Sequence, residues 1–210
     1  MRRTIIAAAL LAAAGCATAV SDSLERRGVS TRDVAMQRLD AVADAAENSA
    51  SSLRRADSEL IAVAGLDGSA LANQIGKAGA ACDGAAHAAQ NLRIEMRTAR
   101  DAGARWFTSW NADLAYQSTE ARRREEAALD AAKARHLRLM ADFDLAAAAT
   151  DGAVAKCADE TDFLKKNPSK LAASAHRGAR EAFSAAAADA IRRLNAARAE
   201  ATLFSRWAAG

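Results

Sequence analysis

Cys82 and Cys157 carry thiol groups that could join distant parts of this sequence. Two thiols form a disulfide only where their Cα atoms come within about 7 Å, so a bridge requires the fold to place these positions side by side. Disulfides also persist mainly in oxidising compartments outside the cytosol. The alternative is a pair of buried free thiols, because unbridged cysteine is among the most often buried residue types.

Cys16 lies in a different context, because small residues precede it in the stretch Ala13-Ala14-Gly15-Cys16. This stretch resembles the bacterial lipobox, in which the cysteine thiol takes a diacylglycerol and the cysteine becomes the new N-terminus. Each buried CH₂ of an acyl chain such as palmitate contributes about 0.8 kcal/mol, so several chains hold a protein durably on a membrane. We therefore predict a lipid anchor on Cys16.

The residues before Cys16 predict an export signal. Met1-Arg2-Arg3 is a short basic start, and the apolar stretch 4–14 has the length of a signal-peptide core. It is shorter than the roughly 20 residues that a membrane-spanning helix needs. We predict a signal peptide over residues 1–15, a tether over 16–29 and a helical domain over 30–210.

The sequence allows two locations for the mature protein. The residue after Cys16 is Ala17 and not Asp, and in this respect the sequence resembles lipoproteins that are sorted to the outer membrane. The predicted location is therefore the outer membrane, facing the periplasm. Alternatively, Ala17-Thr18-Ala19 fits an ordinary signal-peptide cleavage site. Cleavage there would discard Cys16 and release a soluble periplasmic protein.

The histidines and glycines do not form recognisable catalytic or binding motifs. His87, His136 and His176 lack the spacing of metal ligands, so we expect neither a metal nor a cofactor. His136 falls on an apolar stripe, which predicts a buried, hydrogen-bonded core residue. Three glycines lack the strand-then-helix context of a phosphate loop: Gly76, Gly79 and Gly84. No nucleophile and base can be paired from spacing, and a non-enzymatic protein is expected.

The charges do not indicate a nucleic-acid partner. The formal net charge is +3, and loss of Arg2 and Arg3 with the signal peptide leaves 27 basic residues against 26 acidic ones. The run Arg122-Arg123-Arg124 is balanced by Glu125 and Glu126, which predicts a solvated helix face.

Trp106, Phe107 and Trp110 concentrate much of the aromatic content in one short segment. One interpretation is a hydrophobic contact point for a partner or a lipid. The other is that Trp106 and Trp110 fill the seam between helices. Phe107 lies off the apolar stripe, so we expect it to be the exposed member.

The composition favours long helices. Alanine dominates, Pro168 is the only proline, and aromatic residues make up 4% of the chain. Alanine has the highest intrinsic helix propensity and proline the lowest. We predict an all-α fold, an elongated antiparallel bundle or coiled-coil hairpin of about four long helices.

Heptad patterns locate these helices. Mostly apolar or small residues recur at the two core positions of each heptad, and they form four series. The first series consists of positions 35, 39, 42, 46, 49, 53, 56, 60 and 63. The other three repeat every seven residues from two starting positions each: Leu71 and Ile75 over 71–110, Leu129 and Ala132 over 129–164, and Phe183 and Ala187 over 183–204. The phase jumps between the second and third series, which predicts a turn near Ser118 and Thr119. On antiparallel helices this turn would place Cys82 and Cys157 nearly level.

Two further boundaries follow from capping residues. Ser30-Thr31-Arg32-Asp33 is similar to a capping box at the start of the first helix. Asn167-Pro168 predicts the start of the fourth helix, with Asn as the N-cap and Pro in the first turn.

Four segments resemble a bacterial lipoprotein family catalogued as domain of unknown function 2959. They are Gly28 to Asp33, Asp67-Gly68, Trp106-Phe107 with Trp110, and Phe163-Leu164-Lys165-Lys166-Asn167. The resemblance covers about residues 28–208. It implies a helical envelope lipoprotein and supplies no activity or functional residue.

Together these features predict a non-enzymatic structural or interaction protein. It would be held to the membrane by lipid, face the periplasm and bind another envelope protein, with self-association also open. The alternative is a binding module for an apolar or anionic envelope ligand, held between helices near Trp106 and Trp110.

Overall fold

The computed structural model describes residues 24–25 and 28–209, and helices account for nearly all of them. Five α-helices follow one another: α1 (Thr31–Ile61), α2 (Gly68–Asp113), α3 (Thr119–Lys166), α4 (Lys170–Ala175) and α5 (Arg177–Ala209). A short 3₁₀ helix, Leu114–Tyr116, follows α2. The predicted all-α helical bundle is confirmed.

The heptad seams form the core. The predicted core positions are buried throughout, apart from Trp110, which is half-buried. The largest fully buried side chains include Leu53, Leu92, Phe143 and Phe183. Alanine at most remaining positions lets the helix backbones approach closely, while each bulky side chain fills the space that alanine leaves.

Local hydrogen bonds explain where α1 begins and ends. The Ser30 hydroxyl accepts the Asp33 backbone N–H at 3.1 Å, as the capping pattern predicts. Beyond Ile61 the chain turns through Gly65, whose φ of +82° is rarely adopted by residues with a side chain. The Asp67 carboxylate accepts the Gly68 N–H at 2.8 Å and stabilises the start of α2.

The two longest helices are joined at the predicted turn. α2 has 46 residues and α3 has 48. The 3₁₀ turn after α2 buries Leu114, and α3 begins at Thr119. The phase jump in the sequence thus corresponds to a real break in the helix.

The junction after α3 differs from the sequence prediction. Asn167 donates its side-chain amide to the Phe163 carbonyl at 3.1 Å, so it completes α3 instead of capping the next helix. The N-cap is Ser169, whose hydroxyl accepts the Ala172 N–H at 3.2 Å. The predicted single fourth helix is also interrupted at His176, which ends α4 before α5 begins. A serine two residues after Asn167 competes for the cap, because Ser and Asn are similarly favoured there.

Segments of the long helices assemble into two compact units. The first unit comprises the described residues up to Ala43, Arg93–Ala141 and the described residues from Ala199 onward, and the second comprises Asp44–Leu92 and Asp142–Arg198. Within the first unit, α2 and α3 run antiparallel, as shown by the contact of Gly103 with His136 and of Trp110 with Glu125. The same direction holds within the second unit, where Gly79 lies against Lys165 and Cys82 is joined to Cys157.

Part of the predicted tether contacts the first unit. A carboxylate oxygen of Glu25 lies 3.2 Å from the Arg105 guanidinium on α2. The predicted signal peptide, Cys16 and most of the tether lie outside the described residues. None of the described helices has both the length and the hydropathy that are needed to cross a bilayer.

Candidate functional site

Cys82 and Cys157 are joined by a disulfide in the second unit. Their Cα atoms lie 5.7 Å apart, and the bridge links α2 to α3 across 75 positions of sequence. Both cysteines are buried at core positions. The antiparallel course of α2 and α3 brings the two thiols level, which is the geometry that their distances from the turn suggest.

An aromatic cluster occupies the first unit. The ring of Trp106 lies 4.8 Å from that of Phe107 and 5.6 Å from that of Trp110, and Phe204 of α5 meets Trp106 edge-on at 6.3 Å. Trp106 is buried, so it fills the seam. The expectation that Phe107 is exposed is wrong, because only 9% of it is accessible. Its ring packs edge-on against His136 at 5.4 Å, a contact that the heptad pattern of α2 alone does not show.

Trp110 is half-buried and borders a hollow on the surface of the first unit. Its indole N–H donates to the Glu125 carboxylate at 3.1 Å, which links the last turns of α2 to the first turns of α3. The hollow has a volume of about 780 Å³ and is also lined by Arg32, Asp113 and Trp207. Its walls therefore carry charges of both signs.

His136 lies in the core of the first unit, as predicted, but it lacks the expected hydrogen bond. Its Nε2 atom is buried with no partner among the described residues. Gly103 makes room for the ring, because a Cβ there would lie 2.6 Å from Nε2. Burial, assisted by the charge of Arg100, lowers the pKa of His136 from its ordinary 6.5 to about 4. The imidazole is consequently neutral near pH 7.

The depressed pKa of His136 predicts a loss of stability in acid. The unfolded chain takes up a proton at this residue near pH 6.5 and the folded chain only near pH 4. The contribution of His136 to the free energy of unfolding is therefore fully present above about pH 6.5. It falls by about 3 kcal/mol as the pH drops to 4, because the unfolded chain binds a proton there before the folded chain does.

Urea unfolding between pH 7 and pH 4, with His136→Leu as the comparison, measures this effect. The variant should lose less unfolding free energy on acidification than the wild type, by about 3 kcal/mol. Groups elsewhere titrate in both proteins and cancel. Parallel pH profiles would contradict the assigned pKa.

A buried ionic cluster in the second unit was not anticipated from the sequence. Glu160 of α3 is only 2% exposed, and its two carboxylate oxygens lie 3.2 Å from Arg180 Nη1 and 2.9 Å from His176 Nδ1. The ring of His176 also stacks on Phe163, with centroids 3.3 Å apart. These contacts fasten the α4–α5 junction to α3.

The signal for this cluster was present in the heptads. One further step along the third series reaches Glu160, and one step back along the fourth reaches His176 and Arg180. Charged residues at core positions tend to be paired, because burying an isolated charge is costly. A polar layer at this level was therefore predictable.

The stretch Phe163–Asn167 has a structural role at each end. Phe163 contacts His176, Leu164 is fully buried, and Asn167 closes the last turn of α3. Lys165 lies against Gly79 of α2, where a Cβ would come within 3.1 Å of its side chain. The stretch connects α3 to both α2 and the α4–α5 junction.

The remaining sequence candidates lie on helix surfaces or inside helices. Arg122 and Arg124 form ion pairs with Glu126 and Glu120 one turn away, as expected of a solvated face. Gly76, Gly79 and Gly84 all lie within α2. Among the residues that the structure describes, no group of three His, Cys, Asp or Glu side chains could hold a metal ion.

A family model described as a protein of unknown function, DUF2959, matches residues 21–206 and so confirms the resemblance seen in the sequence. No curated protein and no solved structure matches the chain.

Proposed function

The chain belongs to the DUF2959 family, and we propose that it is a non-enzymatic interaction protein of the bacterial envelope, anchored by lipid on Cys16. The described helices would form a scaffold that presents exposed apolar side chains to a protein partner. The observation that carries this proposal is the exposure of Tyr116 and Leu171, which at 91% and 82% are the most exposed large apolar side chains in the described part of the chain.

Tyr116 and Leu171 are exposed although apolar residues close to them in the sequence are buried. Tyr116 lies in the 3₁₀ turn between α2 and α3, beside the fully buried Leu114. Leu171 lies in α4, two residues before the buried Ala173. Neighbouring positions are thus packed inside, while these two side chains are exposed and can contact another protein.

Several buried polar groups are occupied by partners inside the protein, which supports a structural role for these residues. The hydroxyls of Ser49, Thr150 and Thr161 each donate to a carbonyl one turn earlier in their own helix. The Glu160 carboxylate is occupied by Arg180 and His176. A catalytic group usually lies in a pocket with convergent polar groups that can reach a substrate.

The anchor proposal comes from the sequence before the described residues. The lipobox-like stretch ending at Cys16 supports lipidation and an outer-membrane, periplasm-facing location. The Cys82–Cys157 disulfide also suits an oxidising compartment. Cleavage after Ala19 instead would give a soluble periplasmic form of the same helical scaffold.

Photo-crosslinking in living cells tests the interaction role. A benzoylphenylalanine residue would replace Tyr116 or Leu171 in the full chain, with exposed Ala155 of α3 as the matched control position. We expect one protein adduct of defined mass from position 116 or 171 and none from position 155. An absence of adducts at both test positions, or the same adduct at the control, would contradict the proposal.

A ligand-binding module is the second candidate function. The hollow beside Trp106 and Trp110 is large enough for a small amphiphile and contains Arg32 as a cation. Tryptophan fluorescence with added envelope lipid extract examines this candidate, because a bound lipid would change the surroundings of Trp110. An unchanged spectrum would count against a ligand in this hollow.

A further inference from the structure

A groove on the first unit runs between α2 and α3, beside the aromatic cluster. It has a volume of about 580 Å³, within the range typical of ligand sites. Its apolar surface includes Phe107, Leu137 and Met140, with the ring of His136 among them. Leu137 is 70% exposed, although the neighbouring Met140 is buried.

The charges along this groove are all positive. Arg100 and Lys133 contribute the cations, Thr108 and Asn111 contribute neutral polar groups, and no acidic residue lines the groove. His136 adds no charge near neutral pH, because its pKa is depressed to about 4. The groove therefore complements an anion attached to an apolar body, unlike the hollow beside Trp110, where acidic residues also occur.

The two cations differ in what they already contact. Arg100 directs a guanidinium nitrogen at the Met140 carbonyl, 3.5 Å away, and so belongs to the packing of α2 on α3. Lys133 is half-buried and forms no ion pair with any residue in the described part of the chain. Its ammonium group and the Asn111 amide, which line the same groove, can donate hydrogen bonds to a bound carboxylate.

The groove also offers apolar surface to the rest of such a ligand. From Lys133 to Met140 the helix rises by about 10 Å, at 1.5 Å per residue. Phe107 and Leu137 add apolar side chains to the same groove, and the methylene stem of Arg100 can add to their apolar surface. A single alkyl chain can cover such a surface.

We propose that this groove binds a single-chain alkyl carboxylate, with the carboxylate at Lys133 and Asn111 and the chain on Phe107, Leu137 and Met140. This goes beyond the proposed interaction function, because it concerns a different surface and a small amphiphile instead of a protein. Either site can exist without the other.

Equilibrium dialysis of the purified full chain carrying Cys16→Ser against dodecanoate tests the site. We expect one saturable equivalent of dodecanoate per chain. Dodecanol, which has the same chain length without the charge, should bind at least about tenfold more weakly, because a charge-assisted hydrogen bond contributes roughly this factor. Dodecyltrimethylammonium should not compete.

Two variants with matched controls locate the ligand. Lys133→Gln should weaken dodecanoate binding about fivefold or more, while Lys156→Gln, at an exposed lysine outside the groove, should not. Leu137→Asn should also weaken binding about fivefold, while Leu145→Asn, at a similarly exposed leucine of α3, should not. All four substitutions alter exposed or half-buried side chains, so the fold should be retained.

The proposal is overturned by any of three results. Dodecanoate binding that does not saturate would show the absence of a site. Equal affinity for dodecanol would show that the cations do not select the ligand. Equal losses in the test and control variants would place binding elsewhere on the chain.

Discussion

Replacing Glu160 with alanine is expected to lower the unfolding free energy by about 3 to 5 kcal/mol. The substitution removes the carboxylate that pairs with Arg180 and leaves that guanidinium almost fully buried without its counter-charge. It also frees His176 at the point where α4 ends and α5 begins. Urea unfolding followed by circular dichroism measures the loss.

Glu181→Ala is the matched control for this prediction. Glu181 pairs with Arg177 on the surface of α5, and both side chains are mostly exposed. Water screens such a pair, so its removal should change stability very little. Equal losses for Glu160→Ala and Glu181→Ala would contradict the role assigned to burial.

A double replacement separates the two components of the Glu160 effect. Glu160→Leu with Arg180→Met exchanges the buried pair for apolar side chains of similar length. This variant should be much more stable than Glu160→Ala, because it leaves no isolated charge in the core. If it is equally unstable, the cluster acts through geometry at the α4–α5 junction and not through charge pairing.

Reduction of the Cys82–Cys157 disulfide is expected to cost about 4 kcal/mol. The bridge spans 75 positions, and in the chain-entropy description a crosslink of this span restricts the unfolded chain strongly. The measurement compares urea unfolding of the Cys16→Ser chain with and without reductant. The Cys82→Ala/Cys157→Ala variant, made in the same background, should show no response to reductant.

Thiol labelling provides a direct check of the bridge. In the Cys16→Ser chain, denatured without reductant, neither remaining cysteine should react with a maleimide. Two labelled cysteines would contradict the disulfide and would support the alternative of buried free thiols.

The sequence predicted the helices well because one physical feature dominates them. Apolar heptads identify the buried face of a helix directly, and the burial of Leu39, Leu92, Phe143 and Leu194 follows from that periodicity. The turn at Ser118 and Thr119 was predictable for the same reason, since a change of phase requires a break. The level placement of Cys82 and Cys157 then depends only on counting residues from the turn.

The features that were mispredicted depend on contacts between helices. Phe107 lies off the heptad stripe of α2 but is covered by His136 of α3, and no property of α2 alone specifies that contact. Asn167 and Ser169 are both good caps, and the choice between them depends on how α3 ends against its neighbours. The groove at Lys133 similarly requires side chains from two helices.

The proposed function depends on two separate sets of observations. The proposed scaffold role depends on the described helices with their exposed Tyr116 and Leu171. The proposed envelope location depends on Cys16 and the small residues before it. These two parts can be tested independently of each other.

Metabolic labelling with tritiated palmitate tests the proposal that Cys16 carries a lipid anchor. A labelled band is expected for the wild type and for Cys82→Ala/Cys157→Ala, and no label is expected for Cys16→Ser. The double variant controls for acylation of the other two cysteines. Label retained in Cys16→Ser, or absent from the wild type, would contradict the anchor.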